Sequence, residues 1–214
     1  FFFKIPKEKF NHLILKTIEL KMGPKVEKFI KKYSEELKDD SLFKRLFKRN
    51  NHIKIKNLIT LDTVSSISEF LEKNKTKYVF LKGVPLLLDF YNDISDRELK
   101  DIDILLEKKD AIFLYKYLLR SGFKCLNNHS SKDVHLIDEK KYCLPALINN
   151  ANIIIEIHYG LGLQKKKSIE ILSKEMLKNS RKIWFKNTYI SIPKTSFLYC
   201  HNIYHGITKE YFNP

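Results

Sequence analysis

The sequence predicts an α+β fold, and three observations carry the prediction. Apolar residues recur at helical spacing through the first 75 positions. From residue 78 onward, short β-rich runs alternate with amphipathic helical stretches and turn residues. Hydrophobic residues make up 43% of the 214, enough to bury a core and too many for wholesale disorder. The expected organisation is a helical N-terminal region over residues 1–75 and a mixed helix-and-strand core over 76–214.

The helical region reads as four helices. Residues 7–22 place Leu13, Ile14, Ile18 and Leu20 roughly on one side. Gly23-Pro24 ends that helix and starts the next, since proline suits a first helical turn. Over 25–38, Val26, Phe29, Ile30, Tyr33 and Leu37 form a stripe. A third helix is expected over 41–49. A fourth is expected over 52–73, carrying Ile55, Leu58, Ile59, Val64, Ile67, Phe70 and Leu71. No catalytic constellation falls in this region.

The core opens with a strand over 78–82, a turn at Gly83, and a short helix whose first turn suits Pro85. A strand over 101–106 follows, then an amphipathic helix over 109–120 closed by Gly122. Residues 123–126 and 134–137 are short strand candidates. Residues 142–160 read as two strands about a turn at Asn149-Asn150. A helix over 168–179, a hairpin of 181–185 and 189–192 around Asn187, and a helix over 194–207 complete the chain. Internal repeats and low-complexity linkers are absent.

Charge and cysteine usage narrow the setting. The formal net charge is +15, and nearly all of the excess is lysine, with only five arginines. Lysine solubilises, whereas arginine is the usual tool for bidentate phosphate or base contacts, so nucleic acid gains little support from charge alone. Cys125, Cys143 and Cys200 are an odd set without CxxC spacing. That argues against a disulfide framework or a structural zinc site and for free thiols in a reducing cytoplasm. No apolar run approaches the roughly 18 residues of a membrane span, so no membrane partner is expected. The opening Phe1-Phe2-Phe3 is too short for a signal segment.

Chemistry concentrates in "KDIDILL", residues 100–106. On a strand, Asp101, Asp103 and Leu105 share one face, and Ile102, Ile104 and Leu106 the other. Like charges on a half-buried strand repel and resist desolvation. A second strand, "NIIIEIH", repeats the pattern: Ile154, Glu156 and His158 share a face. Three acids on strand faces point to divalent cations. Mg²⁺ takes hard oxygen ligands and leaves places for water and phosphate, and two such ions clamp the oxygens exchanged in phosphoryl-type transfer. Gly83 lets a backbone approach a ligand, the following helix offers free N–H groups to a phosphate, and Lys82 adds a cation there. Each feature alone has a plainer reading. A lone D-x-D is common on surfaces, Glu156 could guard an edge strand, and Arg97 could pair with Asp93, Asp96 or Asp101. His158 could be a packed histidine. His201 and His205, one helical turn apart, fit a structural role better than a zinc site.

Taken in order, these residues resemble the DNA polymerase beta-type nucleotidyltransferase superfamily, and more closely its bacterial family of uncharacterised nucleotidyltransferases. The shared pattern is Leu81-Lys82-Gly83, Arg97 four residues before Asp101/Asp103, Leu119–Phe123, Glu156/His158 and His201/His205. It covers about residues 78–207. Val84 stands where the superfamily usually has serine or glycine, so a hydroxyl contact to phosphate is missing. The chain stops at Pro214, where family members usually continue, so the core is expected to be short at its C-terminal end.

The resemblance implies a mixed sheet flanked by helices and transfer of NMP from an NTP, ATP among the candidates, with release of pyrophosphate. Asp101, Asp103 and Glu156 would hold Mg²⁺ or Mn²⁺, with Glu156 alternatively the base. Lys82, Gly83 and Arg97 would bind the nucleotide, and His158 would serve the acceptor or support the ligands. The acceptor stays open among a small molecule, a protein side chain and tRNA. Two alternatives accompany this reading: a toxin-like enzyme acting on tRNA, and a non-catalytic nucleotide- or RNA-binding protein that keeps the fold.

Overall fold

A computed structural model describes residues 7–19, 23–33, 41–126, 142–161 and 166–205. The chain divides into two compact units, one of residues 1–58 with 90–99, the other of 59–89 with 100–214. Within these, seven helices and seven strands follow one another among the described residues.

The first unit holds α1 (Lys7–Glu19), α2 (Gly23–Tyr33) and the beginning of α3 (Ser41–Lys73). Ile14, Ile30, Phe43 and Leu46 form its core, with Val26 packed against them. The expected break between residues 49 and 52 does not occur: α3 is one helix of 33 residues. Asn50, at the expected break, turns its side chain inward. Its Nδ2 donates to Glu27 Oε2 at 2.5 Å, and Lys31 pairs with Glu27 across one helical turn at 2.5 Å. A buried tertiary partner of this kind outweighs a propensity cost of well under about 1 kcal/mol. Seven residues further, the fully buried Asn57 ties down segment 94–99. Its Nδ2 donates to the Ile94 carbonyl at 2.5 Å and the Arg97 carbonyl at 2.7 Å, and its Oδ1 accepts from the Leu99 amide at 2.9 Å.

The second unit is built on a five-stranded mixed sheet in the order β1-β2-β5-β4-β3. Its strands are β1 (Tyr78–Leu81), β2 (Asp101–Leu106), β3 (Lys124–Cys125), β4 (Leu147–Ile148) and β5 (Ile154–His158). β2 runs antiparallel to β1 and parallel to β5. Between β1 and β2 lies α4 (Gly83–Asp89), and α5 (Lys108–Arg120) follows β2. Gly122, at φ 92, closes α5: its amide donates to the Leu119 carbonyl at 3.2 Å and the Phe123 amide to the Leu118 carbonyl at 3.0 Å. That pair of bonds is the expected glycine-dependent stop. The Asn149 turn also forms, with Asn149 Oδ1 accepting from the Ala151 and Ile153 amides at 2.9 Å each.

The chain then makes α6 (Lys166–Lys178), the separate hairpin of β6 (Ser180–Phe185) and β7 (Thr188–Pro193), and α7 (Thr195–His205). The left-handed residue of the hairpin loop is Lys186, at φ 50, beside the expected Asn187. Val79, Leu81, Leu105, Leu161, Met176 and Leu177 form a buried cluster with Phe197 against it. Each such side chain contributes about 1.5–3 kcal/mol on burial. Leu105 belongs to the face that carries Asp101 and Asp103, so the apolar cluster and the acids share one side of β2. The strand expected over 134–137 lies outside the described residues.

Candidate active site

Strand register assembles the site. Asp103 is paired with Leu81 on one side and Glu156 on the other, and Leu105 with His158. Partners in register present side chains to the same face, so Asp103, Glu156 and His158 converge. Their ligating atoms all lie within 4.8 Å of one another, with Asp103 buried and the other two half-buried. Among the described residues this is the one such group of acids, histidines and cysteines.

Two cations complete the cluster. His158 Nε2 lies 2.8 Å from Asp103 Oδ1 and 3.5 Å from Glu156 Oε2. Lys82 Nζ donates to Asp103 Oδ1 at 2.5 Å and stands 3.8 Å from Glu156 Oε2. By strict strand alternation Lys82 would face away from Asp103, because Leu81 is Asp103's cross-strand partner. A left-handed backbone at Lys82, φ 51, turns the chain and brings the ammonium round. Such a φ costs a non-glycine residue roughly 1–2 kcal/mol. Gly83 is not left-handed; it is the first residue of α4.

The charges explain how acids are tolerated inside an apolar strand. Burial alone would raise the Asp103 carboxyl, but the His158 hydrogen bond and charge and the Lys82 ammonium outweigh it and hold it at about 2. Burial would lower both bases. The carboxylates win there too, so Lys82 is raised and His158 is raised well above its ordinary range. Asp101 goes the other way. Burial and then the neighbouring Asp103 charge push its carboxyl up, with Lys82 only partly offsetting them.

The structure thus brings together Lys82, Asp103, Glu156 and His158. Asp101 is not among the mutually close ligating atoms and lies two residues back on the same strand, paired with Ile154. Gly83 adjoins Lys82. Arg97 lies in the first unit, half-buried, its carbonyl held by Asn57. His201 sits at an apolar cavity of about 250 Å³ lined also by Leu161, Met176 and Phe197, and the His205 side chain lies outside the described residues. Sequence reasoning gave His158 only a supporting part. The signal that places it in the cluster, its i+2 spacing from Glu156 on a strand face, was legible.

A divalent ion fits this group by one specific test. Asp103 Oδ2 is buried with no hydrogen-bond partner among the described residues, although Oδ1 is fully engaged. A buried carboxylate oxygen left bare costs about 1–3 kcal/mol or more, and a cation removes that cost. Two carboxylates and one imidazole suit a hard or intermediate ion.

A mixed sheet that carries paired acids on neighbouring strands, flanked by helices, defines a nucleotidyltransferase fold. The chain resembles the solved structure of the Thermotoga maritima protein TM1012, assigned as a nucleotidyltransferase. The TM-score is 0.51 at 16% identity, over 70% of this chain and 86% of that one. In sequence, residues 21–214 match the uncharacterised nucleotidyltransferase family, and the chain belongs to that family. No functionally curated protein matches it. Family and fold together make it a transferase that acts on a nucleotide.

Proposed function

We propose that this protein transfers NMP from an NTP to an acceptor, releasing pyrophosphate, with Mg²⁺ or Mn²⁺ bound at Asp103, Glu156 and Asp101. The observation that carries the reading is the convergence of Asp103, Glu156 and His158 around a bare buried carboxylate oxygen. A divalent ion there supplies charge neutralisation at the transferring phosphate. Asp103 is the principal ligand, fixed by its strand. Asp101, on the same face of β2, would add a further carboxylate ligand to the row. Glu156 serves as third ligand or takes the proton from the acceptor hydroxyl. The acceptor oxygen then bonds to the α-phosphorus as the α–β bridging bond breaks. Lys82 swings from Asp103 to the triphosphate, and Gly83 lets the phosphates come close to the chain. The reaction belongs to the cytoplasm, where NTPs and Mg²⁺ are held and the three described cysteines stay as free thiols.

The test is incubation with each labelled NTP, Mg²⁺ or Mn²⁺ and a fractionated cell extract. Pyrophosphate release is followed, and label is traced separately in small molecules, protein and RNA. Metal-dependent pyrophosphate release with label in one fraction supports the proposal. Label in tRNA alone selects the toxin-like alternative. A second reading, a non-catalytic nucleotide- or RNA-binding protein, draws on Lys82 Nζ standing 2.5 Å from Asp103, where an ion would otherwise neutralise the acids. Nucleotide binding that is indifferent to Mn²⁺, without turnover, selects it.

A further inference from the structure

Two rows of side chains cross the sheet face that bears the acids. One is Leu81, Asp103 and Glu156, the next Val79, Leu105 and His158, in register on β1, β2 and β5. Each row is apolar at its β1 end and polar at its β5 end. Leu161, Met176 and Phe197 pack on the apolar part, in the buried cluster with Val79, Leu81 and Leu105. The same three side chains line the cavity of about 250 Å³. Neighbouring strands stand about 4.8 Å apart, so Leu105, beneath that cover, lies one strand from His158. The cavity floor and the acids thus rest on the same two rows.

The cavity walls are fixed to the strand that carries His158. α7 supplies Phe197, His201 and Tyr204 at one-turn intervals, and α6 supplies Leu172 and Met176, also one turn apart. α6 is tied to the segment leaving β5: the Leu161 amide donates to Oγ of the buried Ser173 at 3.1 Å. The lining decides the class of occupant. None of it is Lys, Arg, Asp or Glu, in a chain that is 30% charged. A triphosphate or an RNA backbone finds no counter-charge there. A nucleobase carries donors and acceptors round most of its edge, and leucine, methionine and phenylalanine leave them without partners. An apolar body meets no such penalty. A dry cavity of about 150 Å³ takes benzene, so this one takes an aromatic ring or branched alkyl group with a few further carbons.

We propose that this cavity seats the apolar body of the acceptor, a neutral small molecule of aromatic or branched-alkyl character, with its hydroxyl directed to Asp103, Glu156 and His158. The inference rests on the nucleotidyl-transfer reading of that cluster and selects the small molecule from the three acceptor classes. The hydroxyl oxygen bonds to the α-phosphorus, its proton passes to Glu156, and pyrophosphate leaves with the electron pair of the α–β bridge. His201 and Tyr204 supply the few polar groups that orient such a ligand.

The experiment uses indole as an apolar probe and adenine as its polar counterpart. The chain has two methionines, so a methyl-labelled sample gives Met176 a readily assigned NMR signal. Indole is expected to shift that signal saturably, and adenine to leave it in place. Cys200→Trp and Leu172→Trp, from exposed positions on the two walls, fill the cavity and abolish the indole shift. Melting curves confirm that they fold, and the wild-type arms decide if either does not. In labelled-NTP assays with cell extract, label is expected in small molecules retained on a reversed-phase column. Indole should inhibit that transfer and leave Mn²⁺ binding unchanged. No indole shift in wild type overturns the proposal. So does an adenine shift that folded variants abolish, since the cavity then seats a nucleobase. Label confined to protein, RNA or unretained small molecules also overturns it and leaves the transfer reading standing. If wild type labels no fraction while indole binds, the transfer reading has failed and the acceptor assignment falls with it.

Discussion

Asp101 and Asp103 sit two residues apart on one strand face and have opposite electrostatic fates. Asp103 is stabilised as a carboxylate by His158 and Lys82, and Asp101 is pushed towards its neutral form by burial and by Asp103. Both Asp101→Asn and Asp103→Asn are expected to lose metal-dependent transfer, and their metal-free melting temperatures should move in opposite directions. Asp101→Asn removes an ionised group that the fold disfavours at neutral pH, so Tm rises by a few degrees. Asp103→Asn leaves Lys82 and His158 with the half-buried Glu156 as their remaining close carboxylate, which costs about 3 kcal/mol, or roughly 10 °C in a chain of this size. Equal shifts in both variants would contradict this electrostatic picture. The pH dependence has a definite sign. A base whose folded pKa is raised contributes stability fully below its unfolded value and loses it as pH rises through the folded one. The metal-free protein therefore loses stability on the alkaline side of neutrality as His158 gives up its proton, and His158→Gln should flatten that slope. On the acid side, Asp103 contributes stability above its ordinary range near 3.8, lost as pH falls towards about 2. Scanning calorimetry across pH, without metal, checks both arms.

At the scale of elements, Asn57 is the clearest test of how α3 is used. A buried amide that satisfies two carbonyls and one amide of segment 94–99 is a template for that segment. Asn57→Ala strands those groups, and a loss of about 3 kcal/mol is expected in denaturant unfolding. A change below about 1 kcal/mol would mean that water replaces the amide easily. The strands that carry the site were legible because period-two alternation survives in "DIDILL" and "IEIH", and the acids interrupt it on one face only. Gly122 and Asn149 were legible because a left-handed stop and a side-chain-capped turn each demand few residue types. The break expected between residues 49 and 52 does not form, and Asn50 within it finds a buried partner in Glu27, 23 residues away. The left-handed turn at Lys82 was hidden for a related reason. Gly83 next to it is the better candidate by local rules, whereas Lys82 carries the positive φ and bonds Asp103, 21 residues on. Local pattern showed the acids, and only strand register could show which of them meet.

For the whole molecule, ion binding and charge give two further expectations. If the folded state alone holds Mn²⁺, saturation at a hundred times Kd stabilises it by about 2.7 kcal/mol. Tm should rise by roughly 5–10 °C in wild type and not in Asp103→Asn. A rise of equal size in both would place the ion elsewhere. The lysine-rich net charge of +15 gives a polyanion partner little support by itself, and the basic residues of the β6–β7 hairpin are locally compensated. Lys182 pairs with Glu72 at 2.5 Å, Lys186 with Asp62 at 2.6 Å, and Arg181 with Asp89. Weak tRNA retention at physiological salt is therefore expected, falling steeply as salt rises. Tight retention at 0.15 M salt would favour the tRNA acceptor instead.

The inner place of β2 in its sheet has a kinetic corollary. Asp103 is flanked by β1 on one side and β5 on the other, so neither edge of its strand is open to water. Backbone amides there can trade hydrogen for deuterium only when the sheet itself opens, the slowest and costliest opening of a folded unit. Lys82 lies just past the end of β1, where the backbone turns left-handed into α4. Isotope labelling followed over hours should find the Asp103 amide among the last to exchange. The acid that fixes the centre is then set in place before any ligand arrives, and the cation beside it is free to move when one does.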